Sequence, residues 1–555
     1  MEARISKRNR TIFLTIVFIA LLTFMIIPRL VFADGAAAGD PSGISTGKTS
    51  DISSNTPGNP TTAEISDQVG KNKIGINFVW VLLCGFLIFF FQAGFAMVET
   101  GFTRAKNALH TMTMNFLVFV IGAIGFYFVG FALMFGGVGG IASLGGNPVL
   151  TKELAIHGWG IIGYKGFLLS GVSYDVAVFT LFFFQMVFMD TTCTIPTGSM
   201  AERVKLKAVI ASAFFVSMVY YPIYGNWVWG GGWLAQLGSN LGLGHGVLDF
   251  AGSGVVHAMG GMIALTGAMV LGPRIGKFKK DGSPVAIPGH HIPMAIIGTI
   301  ILFFGWFAFN AGSSLSGTDL RIGVIVTNTV LAGAFGSFSA MIYTWLKFKK
   351  PDPTMIANGG LAGLVAITAG CAFFNSIAAM IIGLISGVLV CISVWVVENK
   401  FKIDDPVGAV SVHGVNGLWG ILALGLFADG TYGDGLNGVS GNVRGLFYGG
   451  TGQFLSQLIN VAVIIVYGVL LSWAFWKVLN KIIKIRVKAE DEIEGLDVPE
   501  MGLLAYPEFV LSPPEGTGTN GISAAPYNVS YPLNTGNTGF ADAGSADPAG
   551  PADKK

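Results

Sequence analysis

From Ile74 to about Asn480 the chain alternates long apolar blocks with short polar loops, a pattern that predicts helices crossing a bilayer. The blocks lie near Ile76–Val98, Leu109–Met134, Tyr174–Ile195, Lys207–Tyr224, Gly252–Leu271 and Ile292–Ala311. Others follow near Ile322–Leu346, Ala357–Cys371, Ala378–Val397, His413–Phe427 and Phe454–Leu479. Eleven such spans over residues 74–480 predict an all-α polytopic membrane protein, with Ala357–Cys371 and His413–Phe427 the shortest. The flanks break the pattern. Arg4, Lys7, Arg8 and Arg10 precede an apolar run from Thr11 to Ile27, and Val31-Phe32-Ala33 stands before Asp34. These are the parts of a cleavable signal peptide over residues 1–33, favoured over an uncleaved extra helix because Pro28 and Arg29 interrupt the run early. Residues 34–73 are rich in Gly, Ser, Thr, Pro and Asp and predict a disordered extracytoplasmic leader. Residues 481–512 form a charged C-terminal segment in which Gly495 ends a short helix, and residues 513–555 predict a disordered tail.

Composition agrees with the blocks. Of 555 residues 52% are hydrophobic and 12% charged, about half the charge of a soluble domain. The 79 glycines suit membrane helices whose backbones approach closely. The net charge of +2 identifies no nucleic-acid partner, but its distribution orients the chain. Arg104, Lys106, Arg203, Lys205, Lys207, Arg274, Lys277, Lys279 and Lys280 fall in loops on one side. Lys347, Lys349, Lys350, Lys400, Lys402, Lys481, Lys484 and Arg486 fall on that side too, against Lys152, Lys165, Arg321 and Arg444 opposite. The positive-inside rule then puts the N-terminus outside the cytoplasm and the C-terminus within it, in a plasma or inner membrane.

Two stretches match each other. Asp249-Phe-Ala-Gly-Ser-Gly-Val-Val-His257 and Asp405-Pro-Val-Gly-Ala-Val-Ser-Val-His413 each place a histidine eight residues after an aspartate. The histidines fall in the fifth and tenth spans, so the chain divides into two five-helix halves inserted upside down to each other, plus one extra helix. An ionisable group inside a bilayer marks a functional site. Two facing imidazoles, each with a donor and an acceptor nitrogen, can pass a proton, and His257 and His413 are expected to meet at the centre as a relay. Asp249 and Asp405 sit where helix-capping carboxylates sit; for Asp405 that is the expected role, and Asp249 also lies where a carboxylate would favour an arriving cation. His110, His157, His245, His290 and His291 read as structural groups at span ends or in loops.

Aromatic residues form a second constellation. Phe184 and Phe188 share a helix face, Trp227, Trp229 and Trp233 cluster, and Trp306, Phe307, Phe309, Asn310 and Ser313 follow one another closely. They suit an interfacial belt, packing, or aromatic binding of a desolvated cation with Ser313 as acceptor. Cys84, Cys193, Cys371 and Cys391 lack metal-type spacing and read as small core residues. No nucleophile–base pair, phosphate loop or metal-ligand cluster is evident, so neither an enzyme nor a cofactor is expected.

The motifs then become specific. Ala93-Gly-Phe-Ala-Met-Val-Glu-Thr-Gly101, Gly198-Ser-Met-Ala-Glu-Arg203, Trp229-Gly-Gly-Gly232, Gly305-Trp-Phe-Ala-Phe-Asn-Ala-Gly-Ser313 and Val412-His-Gly-Val415 occur in order alongside the first Asp–His stretch. From about Ile74 to Tyr506 the chain resembles the ammonium transporter, methylammonium permease and Rhesus protein family. The resemblance implies an ammonium recruitment site of Trp229, Phe188 and Ser313 with Asp249 beside it, a gate of Phe188 and Phe309, and a pore lined by His257 and His413. It implies a homotrimer with one pore per subunit and net ammonium uptake, with ammonia crossing past the histidines. Glu494-Gly-Leu-Asp-Val498 and Ala505-Tyr506 resemble the family's regulatory C-terminus, which implies control by a PII-type nitrogen regulatory protein. Two departures stand out, a longer segment between Trp229 and Asp249 and a long tail. A passive ammonia or carbon dioxide channel of Rhesus type, and an ammonium sensor signalling through the tail, are the alternatives.

Overall fold

A computed structural model describes residues 60–136, 142–145, 153–435 and 439–507; residues 60–505 form one compact unit. The expected signal peptide and the tail beyond residue 507 lie outside the described residues. Among the described residues ten helices are long and apolar enough to cross a membrane. They are α1 Thr62–Phe102, α2 Ala105–Phe135, α3 Val176–Met200, α4 Leu206–Val228, α5 Ser253–Leu271, α6 Ile292–Gly312 and α7 Ile322–Phe348. After a shorter helix, α8 Pro353–Ile367, come α9 Ser376–Asn399, α10 Val410–Phe427 and α11 Thr451–Ile483. The eleven helices match the eleven apolar blocks. Outward faces carry exposed Phe86, Phe116, Ile300, Phe304, Leu346 and Leu470, as lipid contact requires.

Two boundaries and one connection differ from expectation. The leader does not stay unstructured to Lys73: α1 begins at Thr62, because Thr61 and Glu64 form a reciprocal capping box that satisfies the first amides. α8 has 15 residues and ends at Ile367, short of Cys371. The chain that follows turns back irregularly inside the protein, where Ala369 and Thr368 carbonyls accept from the Phe250 and Ala251 amides. Between α2 and α3 a hairpin forms, β1 Glu153–Ile156 and β2 Trp159–Gly163. Its two-residue turn, His157-Gly158, has both φ angles positive, at 51° and 83°.

The basic loops gather on one face with residues 485–505, called here the tail face. Arg203, fully buried, donates to the carbonyls of Gly272 (2.8 Å), Ala201 (2.9 Å), Ser199 (3.1 Å) and Asp404 (2.7 Å). One guanidinium thus satisfies the carbonyls left open where α3 and α5 end. Arg274 forks onto the Asp404 carboxylate with two bonds of 2.9 Å and also pairs with Glu202, which Arg104 holds from its other side. Burial would raise the Asp404 carboxyl, but the Arg203 charge and the Arg274 hydrogen bonds outweigh it and hold it at about 2. The C-terminal segment docks here: helix α12, Ala489–Glu494, ends at Gly495, Leu496 N–H donates to Asn107, and Asp497 accepts from the His110 amide at 2.9 Å.

Candidate functional site

Both Asp–His stretches fold in the same way. Asp249 is followed three residues later by Gly252 at φ 110°, and Asp405 by Gly408 at φ 79°. Each positive φ reverses the chain into a turn of π-helix, Ser253–Ala258 or Val410–Val415, that opens its span and carries the histidine. The Asp249 carboxylate accepts from the amides of Gly252 (2.9 Å), Gly254 (2.8 Å) and Val255 (2.9 Å). The Asp405 carboxylate accepts from Ala409 (3.1 Å) and Val410 (2.8 Å). Asp405 follows the tail-face Asp404, whereas Asp249 lines a cavity on the opposite side, so the two stretches enter from opposite faces.

The spans then cross at contact distance. A Cβ on Gly261 would stand 2.2 Å from Gly414 Cα, and one on Gly417 2.5 Å from the Ser253 carbonyl oxygen. That closeness brings His413 Nδ1 to 3.2 Å from His257 Nδ1, with ring centroids 5.3 Å apart. One of the two nitrogens carries the hydrogen and the other accepts it. The surroundings are apolar: Trp306 stacks on His257 at 4.9 Å, Phe309 lies 5.5 Å from it, and Phe95 lies 5.9 Å from His413. His257 Nε2 is buried without a hydrogen-bond partner.

Away from the tail face a vestibule of about 1040 Å³ leads toward the pair, lined by Phe184, Gln185, Phe188, Trp229, Asp249 and Ser313 among others. At its floor Phe188 and Phe309 stack with centroids 4.0 Å apart and close the way to His257. Trp229 meets Phe188 edge-on at 5.9 Å and is held by its indole N–H on the Asp249 carbonyl at 2.6 Å. Ser313 donates to the Phe309 carbonyl at 2.8 Å, which turns the lone pairs of its oxygen away from that carbonyl. Six of the expected residues therefore lie along one path, Trp229 and Ser313, then Phe188 and Phe309, then His257 and His413, with Asp249 and Asp405 in the turns that lead to the histidines. Asp249 is 4% exposed, and its carboxylate caps the turn by accepting from three backbone amides while the residue also lines the vestibule.

Phe91, which the sequence does not single out, stacks on Phe309 at 5.4 Å, and Trp306, already among the aromatic candidates, is held by Thr368 at 2.8 Å. Apolar rings in apolar spans carry no signal of their own. Glu99 and Asp190 did carry one, since both are acids inside apolar spans, and both are buried. Oδ1 of Asp190 has no hydrogen-bond partner. His110, read as a structural group at a span end, is fully buried with neither ring nitrogen bonded. His245, His290 and His291 each bond to nearby backbone, at 3.2, 2.7 and 2.9 Å.

Comparison with known proteins agrees with this geometry. The profile of the Ammonium Transporter Family matches residues 79–506. Over 447 residues the chain is 48% identical to ammonium transporter Amt2 of Archaeoglobus fulgidus, covering 80% of this chain and 91% of that one. It is 33% identical over 451 residues to ammonium transporter 1 member 3 of Solanum lycopersicum, covering 78% and 93%. Among solved structures, a sensor Amt protein superposes with a TM-score of 0.68 at 35% identity, over 78% of this chain and 99% of that one. Candida albicans Mep2 gives 0.65 at 25% identity, over 78% and 92%.

Proposed function

The chain belongs to the ammonium transporter family, and from that premise we propose how its geometry moves ammonium. The protein is an ammonium transporter of the membrane. Ammonium settles in the vestibule against the Trp229 and Phe188 faces, which attract a cation, while the Ser313 oxygen accepts one of its N–H groups. Asp249 shapes this site by fixing the turn beneath it and by holding Trp229 through its carbonyl. The stacked Phe188 and Phe309 then bar anything that keeps its water shell.

Ammonium and potassium share charge and similar size, so a charged filter would separate them poorly. Ammonium can shed a proton, and potassium cannot. An unpaired charge in an apolar span costs at least about 2.5–3.5 kcal/mol, so potassium stops at the gate. Ammonium loses its proton there, ammonia passes the histidines, and the proton follows from His257 to His413 across their shared Nδ1 contact. Ammonium reforms beyond the pore, for net uptake of one ammonium. The observation that carries this reading is the 3.2 Å contact between two imidazoles in an apolar surround directly behind the stacked gate. The test is electrophysiology on purified protein in liposomes adsorbed to a solid-supported membrane. Ammonium pulses should evoke current and potassium pulses none; silence with both would leave a passive ammonia channel or a sensor.

The basic tail-face loops support a cytoplasmic tail face and an N-terminus outside, in the plasma or inner membrane. The docked segment over residues 485–502 supports regulation from that face, with a PII-type protein as partner, and family membership supports a homotrimer as the assembly. One observation favours a second reading, an ammonium sensor: the likeness to a solved sensor Amt protein. Ammonium-dependent hydrogen exchange in the docked segment, in protein that carries no current, would favour it.

A further inference from the structure

On the tail side of the histidine pair lies a small cavity of about 20 Å³, enough for one water. His413 and Glu99 both line it, with Phe95, Asn358 and Val407. Nδ1 of His413 is committed to His257, so Nε2 is the nitrogen left for this side. Glu99 stands three residues before the end of α1, is 2% exposed, and has no cationic partner among the described residues. Its partners are neutral: Asn115 donates to Oε2 at 2.8 Å, and the Thr197 hydroxyl lies 2.8 Å from Oε2 and 3.0 Å from Oε1. Thr194 and Gln92 hold Asn115 in turn, at 2.7 and 2.6 Å. Gly198 makes room, since a Cβ there would stand 3.0 Å from Glu99 Oε1 and 2.5 Å from Val407.

A carboxyl so placed is costly to a membrane span unless it works. Its surround also suits two protonation states. The single Thr197 hydrogen can point at Glu99 or at the Thr194 carbonyl, 2.5 Å away, so the hydroxyl turns from one to the other when the carboxyl gains a proton. The other titratable groups facing Glu99 are His413 from α10 and Asp405 from the stretch before it; α2 and α3 present only neutral Asn115 and Thr197.

We propose that Glu99 is the proton acceptor of the relay, taking the proton from His413 through one water and releasing it toward the tail face. The inference rests on the relay reading above. Starting from the protonated pair, the His413 Nε2–H bond breaks as an O–H bond forms on the water. That water gives another of its hydrogens to the Glu99 carboxylate, and the pair returns to neutral. The carboxyl then passes the proton to water at the tail face and becomes a carboxylate again. One proton moves and nothing is consumed.

The test is Glu99→Gln in liposomes, read by ammonium-evoked current alongside ammonia flux and thermal stability. Gln keeps the shape and an acceptor for Thr197 but cannot carry a proton. Current should fall at least about tenfold with half-saturation and stability unchanged, ammonia flux should persist, and Glu99→Asp should restore part of the current. Wild-type current in Glu99→Gln overturns the proposal. If that variant fails to fold, infrared difference spectra of the wild type with isotope-labelled glutamate decide: ammonium should shift a glutamic-acid carbonyl band, and its absence overturns the proposal. Current lost in His413→Leu but kept in Glu99→Gln would sink the Glu99 step and leave the relay standing; a silent wild type would sink the relay itself.

Discussion

Asp249 offers the sharpest test of how the site is built, because two roles for it predict different failures. As a cap it holds three amides of the turn that carries His257; as a recruiting charge it would act on the arriving ion. A hydrogen bond to a charged group contributes about 1.5–3 kcal/mol. Removing all three in Asp249→Ala sums to roughly 4–9 kcal/mol, and about 3–5 kcal/mol is expected once neighbours in one turn are treated as non-additive. Asp249→Asn keeps an oxygen for Gly254 and Val255 but turns its amide toward the Gly252 N–H, so it should cost about 1–3 kcal/mol. The assay pairs thermal unfolding in detergent with transport in liposomes. Maximal rate and stability should fall together, Ala further than Asn, with little change in half-saturation, because the displaced turn carries His257. A stable Asp249→Ala protein whose only defect is weaker ammonium half-saturation would refute the cap.

Other consequences follow from the same geometry. Asp404 has a carboxyl held at about 2, below its usual 3.8, so its contribution to stability is complete above about pH 4 and is lost as pH falls through about 2. The shift corresponds to about 2 kcal/mol, and in acid unfolding Asp404→Asn should flatten that limb of the stability profile. Trp229→Leu removes the vestibule's edge-on aromatic and should weaken half-saturation by about 3- to 30-fold with the maximal rate little changed, a cation–π loss of about 0.5–2 kcal/mol. Phe309→Ala removes a ring stacked at 4.0 Å on Phe188 and should cost about 3–5 kcal/mol of stability, read by thermal unfolding, and admit potassium, read as current.

What the sequence disclosed depended on chemistry that stands out from an apolar background. His257 and His413 were legible because imidazole in a span is rare, and their shared eight-residue offset from aspartate pointed to the inverted halves. Their meeting needed more than the pattern: Gly261, Gly414 and Gly417 allow the backbones to touch, and among 79 glycines none of these announces itself. Phe91 is hidden for a similar reason, and the role of Trp306 stays open in the sequence, since rings that stack on the pore look like rings that merely pack. The end of α8 was misplaced because Thr368–Phe374 stays apolar while its backbone turns to bond the chain before α5. A carboxylate at a helix start reads as cap and as cation site alike, and for Asp249 the hydrogen bonds of the fold make the capping part explicit.

The central claim is that ammonium gives up its proton and the proton crosses on the paired histidines. The most direct measurement is ammonium-evoked current in liposomes for wild type, His257→Leu and His413→Leu, with potassium pulses as control. The account predicts current in wild type with ammonium alone, and in both variants either silence or an uncoupled ammonia leak. Undiminished ammonium current in both variants would contradict it.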